Sequence, residues 1–149
     1  MPTFAFTELV HDPLARIESA ALGASTSTPL TDKDKGKCVK MGTAQNYIVC
    51  TGGNEIEGFL NSVEPWTVNG GYGFGSVLRS GRVSAVVGAN QGATAMAVGD
   101  LVVADTQAAV GTAGAAAVKT GTPATYKWRC IRIVSGTGVA GDAVLLERI

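Results

Sequence analysis

Gly81-Arg82-Val83-Ser84-Ala85-Val86-Val87 is the stretch that decides the fold class. Val83, Ala85 and Val87 alternate with Arg82, Ser84 and Val86, the period of a strand with one face buried. The glycine ahead of it tolerates the positive φ of a turn, and the neighbouring charge sits on the solvent side. The same unit returns at Gly36-Lys37-Cys38-Val39, Gly99-Asp100-Leu101-Val102 and Gly141-Asp142-Ala143-Val144. Short Val/Ile/Leu runs separated by Gly, Asn, Asp and Thr mark an all-β sandwich or barrel. Strands are expected at Lys37–Met41, Tyr47–Thr51, Glu57–Val63, Gly75–Leu78, Arg82–Val87, Leu101–Ala104, Tyr126–Val134 and Ala143–Glu147. Within Tyr126–Val134 the phase breaks. Tyr126, Trp128 and Cys130 face inward first, then Ile131 and Ile133, so a bulge is expected near Cys130.

Upstream the pattern changes. Residues 1–35 hold Pro2, Pro13 and Pro29 and the linker-like Ala24-Ser25-Thr26-Ser27-Thr28-Pro29. Between them a short helix is expected, with Asp12 as N-cap, Pro13 in the first turn and Gly23 as its stop. Leu14, Ile17, Ala21 and Leu22 would share one face. Three turns are marginal alone, so such a helix needs a surface to lie on. The polar run Thr31-Asp32-Lys33-Asp34-Lys35-Gly36 reads as a boundary, dividing an N-terminal arm, 1–35, from a β-domain, 36–149. Between Val110 and Val118 the chain is nearly all Ala and Gly, read as a flexible or closely packed loop because glycine weakens a helix by about 1 kcal/mol.

Composition narrows the function classes. A chain of 149 residues fits one domain. At that length roughly 68–70% of the unfolded surface can be buried, without disulfides or metal. Only 16% of residues are charged, against about 25% in average chains, so part of the exterior is expected to be covered by a partner. Net charge is zero and no cluster of Lys and Arg is present, which argues against nucleic acid. Between Lys40 and Arg79 the charges are acidic, and beyond Arg79 bases outnumber acids, an arrangement suited to head-to-tail association of identical subunits. Cys38, Cys50 and Cys130 give an odd count without C-x-x-C spacing, so reduced, buried thiols in a cytoplasmically made protein are expected. No signal peptide and no apolar run of about 20 residues is expected, hence no membrane partner.

The motifs that suggest chemistry fail on context. Gly136-Thr137-Gly138-Val139-Ala140-Gly141 matches G-x-G-x-x-G, but a dinucleotide fold needs a following helix, a second strand and an acid about 20 positions on. A hairpin turn is expected instead. His11, the one histidine, sits beside Asp12 with no G-x-S-x-G serine, and with three scattered cysteines it gives no usual zinc spacing. Glu55, Glu57 and Glu64 could converge as a carboxylate pair, but Glu55 and Glu57 read as solvated charge on one strand face. No catalytic, cofactor-binding or metal-ligating residue is assigned, and no small-molecule substrate. The residues with binding potential are aromatic and apolar: Trp66, Tyr72 and Phe74 around the glycine-rich Gly70–Gly75, and Phe4, Phe6 and Leu9 in the arm.

The order of the pieces then matters: a polar arm, Gly36-Lys37-Cys38-Val39-Lys40-Met41, Tyr47-Ile48-Val49-Cys50, Glu57-Gly58-Phe59-Leu60, Gly81 to Val87, Val98 to Asp105, and Gly141 to Leu146. This order resembles that of the capsid decoration, or cement, proteins of tailed bacteriophages, over roughly Gly36 to Ile149. The resemblance implies a compact β-barrel or β-tulip-like domain without catalytic residues. It implies a homotrimer on the outer capsid surface, made in the host cytoplasm and bound to itself and to the major capsid protein. The second expectation is a receptor- or glycan-binding β-domain of a phage fibre or spike; a small hydrolase is the third.

Overall fold

The computed structural model describes residues 16–23, 29–64 and 73–149. Over these the protein is all-β, with ten strands: β1 Arg16–Ala21, β2 Cys38–Met41, β3 Tyr47–Val49, β4 Gly58–Val63, β5 Phe74–Ser80, β6 Arg82–Val87, β7 Leu101–Ala104, β8 Ala117–Thr120, β9 Trp128–Ile133 and β10 Ala143–Arg148. One 3-10 turn, Asp32–Asp34, is capped reciprocally by Thr31 and Asp34. The strands form two bodies. One is a closed five-stranded barrel in the order β10-β6-β8-β7-β9; the other is a five-stranded sheet in the order β1-β5-β4-β2-β3. The two edges of the open sheet meet at one point, where Leu22 bridges Tyr47 and the Gly23 N–H donates to the Tyr47 carbonyl at 2.8 Å.

The alternation that decided the fold class is realised in β6, where Ala85 and Val87 are buried and Arg82 and Ser84 exposed. Glycines 36, 81, 99 and 141, which open the recurring unit, all adopt positive φ. The expected bulge is present. Opposite Leu145 and Leu146, β9 pairs through Arg132 and then Cys130, leaving Ile131 as the extra residue. It keeps Trp128 and Cys130 in the barrel core and lets Ile133 pack against the same core. Residues 136–141 connect the antiparallel neighbours β9 and β10, as a hairpin loop should.

Two expectations are corrected. Where a helix was expected there is β1, which pairs antiparallel with β5 from Arg16–Ser80 to Ala21–Phe74; Asp12, Pro13 and Leu14 lie outside the described residues. A short segment without a helical partner gains a ladder of backbone hydrogen bonds from a sheet already in place, and tertiary pairing outweighs a weak helical spacing. Residues after Ala21 also enter the body of the protein. Leu22 and Leu30 are buried in the sheet's core with Val39, Tyr47, Val49, Leu60, Val63 and Val77. The end of the Ala/Gly run, Ala117–Thr120, is likewise a strand. β8 pairs in parallel with β6 and antiparallel with β7, and its Val118 is fully buried.

The barrel core centres on Trp128. Its Nε1–H donates to the Ile56 carbonyl at 3.0 Å, and the Phe59 ring, from β4, meets it edge-on at 4.9 Å between centroids. Cys38, Cys50, Ile56 and Phe59 join this core, so the open sheet seals the barrel with its own residues.

Candidate interaction surface

Of the six residues with binding potential, Phe74 lies among the described residues; Phe4, Phe6, Leu9, Trp66 and Tyr72 lie outside them. Phe74 opens β5 and is 42% exposed, opposite Ala21, and its carbonyl accepts the Glu64 N–H at 2.8 Å. Arg16, where the described chain begins, pairs with Ser80 at the far end of the same ladder. Six strand residues extend about 17–20 Å. The arm's root and the root of the 65–72 connection therefore sit at opposite ends of one sheet edge.

Among the described residues, four carboxyls hold loops in place. Asp34 and Lys37 form a fully buried ion pair, Oδ1 to Nζ 2.6 Å. Lys37 Nζ also donates to the Ala109 carbonyl at 2.9 Å, and Asp34 accepts the N–H groups of Gly111 at 2.9 Å and Thr31 at 2.8 Å. Burial alone would raise the Asp34 pKa, but the Lys37 ammonium and those two N–H groups outweigh it and hold the carboxyl below its usual range. Within the run Thr31–Gly36, Asp34 is thus a buried joint to the 109–111 loop, and Thr31 and Asp34, three residues apart, form a capping box.

Asp105 follows the same logic. It is buried, which would raise its pKa; Asn90, donating from Nδ2 and from its N–H at 2.8 Å each, the Thr106 N–H and the Lys119 charge reverse this. Glu55, expected to be solvated charge, accepts the N–H groups of Ala124, Thr125 and Tyr126 ahead of β9; burial would raise its pKa, but these three bonds together outweigh it and lower the pKa. Asp142 accepts three N–H groups in the 136–141 loop, from Thr137 at 2.8 Å, Val139 at 3.0 Å and Gly138 at 2.9 Å, and is lowered by them. A general acid needs a pKa raised toward neutrality. These four carboxyls are displaced the other way.

Two concavities are lined by described residues alone. A 240 Å³ cleft is lined by Val49, Cys50, Thr51, Thr106, Gln107 and Val110. Burial pushes the Cys50 thiol up to about 12, Glu57 adding to this and Lys40 opposing it, so the cleft presents no thiolate. An open 490 Å³ depression on the barrel is lined by Thr94, Asp100, Leu101, Thr120 and Thr122 with two glycines. Among the described residues no three His, Cys, Asp or Glu side chains group as metal ligands would, and no helix is long and apolar enough to cross a membrane.

The surface also carries features invisible in the sequence. Val98, Val134 and Val139 are exposed on two segments joined by the Met96 N–H to Gly138 carbonyl bond, 2.8 Å. On the open sheet, Ser19, Ser76 and Ser62 stand side by side across β1, β5 and β4. Single serines on three separate strands leave no linear motif; register alone assembles them. No protein family, characterised protein or solved structure matches this chain.

Proposed function

We propose that this chain is a structural virion protein, a capsid decoration protein that binds the outer surface of a tailed-phage head as a trimer and stabilises the shell. The observation that carries this reading is the commitment of the polar groups. Asp34 with Lys37, Glu55, Asp105 and Asp142 each fasten a loop to a strand body, and none of these carboxyls is tuned for proton transfer. A framework of that kind suits a rigid part in a larger assembly. The strand order that resembles the decoration proteins, the low charged fraction and the exposed valines at one end of the barrel support the same reading.

The mechanism is additive. Each copy buries a modest area against its neighbours and the shell, and many copies acting together resist internal pressure through multivalency. The test is co-sedimentation of purified protein with undecorated heads of the phage whose genome encodes it. Saturable occupancy, with heads that survive heating better than bare ones, is the expected result. Failure to sediment with expanded heads at any protein concentration overturns the reading.

A further inference from the structure

The outer face of the β1–β5–β4 ladder changes character along its length. Toward the barrel it is apolar: Ile17, Leu78 and Phe59 stand opposite one another across the three strands, and Phe59 is buried against Trp128. Farther along the strands the same face becomes a row of small hydroxyl and amide groups. Ser76 lies between Ser19 and Ser62, its Oγ 2.6 Å from Ser62 Oγ, and Asn61 Nδ2 donates to it at 2.9 Å. Phe74 lies on this face two residues along β5, about 7 Å from Ser76. Its neighbour across on β1 is Ala21, too small to cover a ring.

Charge is nearly excluded from this row. Glu18 and Arg79 pair with each other at 3.2 Å, and both alternate onto the opposite face.

We infer that this part of the sheet face binds a neutral carbohydrate. A pyranose ring has an apolar C–H face and a rim of hydroxyls, each both donor and acceptor. Phe74 supplies an exposed apolar platform, and stacking a sugar on it removes that surface from water. Serine hydroxyls and the Asn61 amide donate and accept in both directions, as sugar hydroxyls require, and keep bonding capacity beyond their mutual contacts. The strand pairing places no cation beside Ser19, Ser62 or Ser76 to pair with the carboxylate of a sialic or uronic acid, which favours neutral sugars. The site goes beyond shell binding and does not depend on it; one shallow face binds weakly, and repetition on an assembled shell would make it effective.

The test uses the full-length chain on an array of neutral and acidic oligosaccharides, with saturation-transfer NMR on glucose, galactose, mannose and N-acetylglucosamine oligomers. Binding to a neutral class is expected. Phe74→Ala should weaken it about tenfold or more, and Asn61→Ala and Ser76→Val should also weaken it, with the β circular dichroism unchanged. Because Asn61 is exposed, its variant keeps the test valid should Phe74→Ala fail to fold. Absence of binding by the folded wild type, preference for acidic sugars, or binding indifferent to folded variants overturns the assignment. Sedimentation with phage heads is read separately, so a negative array leaves shell binding standing.

Discussion

At the scale of single residues, Asp34 and Lys37 are the most consequential pair. Both are fully buried, and each reaches the 109–111 loop as well as its partner. Removing one member leaves an uncompensated charge in the interior, which costs about 3–5 kcal/mol. Asp34→Ala should therefore lower the unfolding free energy read from urea melts by that amount, and pairing it with Lys37→Met should restore part of the loss. The same carboxyl sets an acid limit together with Glu55, Asp105 and Asp142. All four have folded pKa values below the unfolded ones. Their stabilisation is present in full above the unfolded carboxyl values and is lost as pH falls through the folded values. Melting temperature should hold from neutrality to about pH 5 and drop below about pH 4; a flat profile to pH 2 would contradict this. The thiols behave oppositely. Cys38, Cys50 and Cys130 are free and buried, and burial raises all three pKa values. Ellman's reagent should find almost no reactive thiol at pH 8 in the native protein and all three in urea.

At the scale of elements, β1 changes how the N-terminal region must be tested. Removing residues 2–30 deletes β1 together with Leu22 and Leu30, two buried side chains worth about 1.5–3 kcal/mol each. That truncation should cost the open sheet its cooperative melt. A truncation ending just before Arg16 keeps every described contact and should retain the fold. If residues 1–15 clamp a neighbour or the shell, this shorter deletion lowers head occupancy in sedimentation without shifting the melting curve. Full occupancy would sink the clamp.

At the scale of the whole molecule, a closed barrel and an open sheet face association differently. The barrel has no free strand edge, so partners meet its loops and outer side chains. The sheet ends in β1 and β3, which touch through Leu22 and Tyr47. Charge is unevenly spread along the chain, with acids between Lys40 and Arg79 and an excess of bases beyond. Light scattering at moderate salt should give three times the monomer mass, either free or after release from heads. A monomer under both conditions would remove the trimer from the proposed function.

Local chemistry set much of this protein. Alternation in Arg82–Val87 and the glycines opening each turn placed most strands to within a few residues, because a half-buried strand and a positive-φ turn impose their patterns on nearest neighbours. The bulge near Cys130 was legible for the same reason. Tertiary structure alone decided the rest. β1 and β8 each carry a single large apolar residue, Ile17 and Val118, too little alternation to declare a strand; they are strands because β5, β6 and β7 offer them backbone partners. Burial of Lys37 could not be foreseen, since a lysine is tolerated inside only where a distant loop supplies a carbonyl and a local turn supplies a carboxylate. The serine row exists only in register: Ser19, Ser62 and Ser76 are neighbours through strand pairing, a long-range relation that no local pattern encodes.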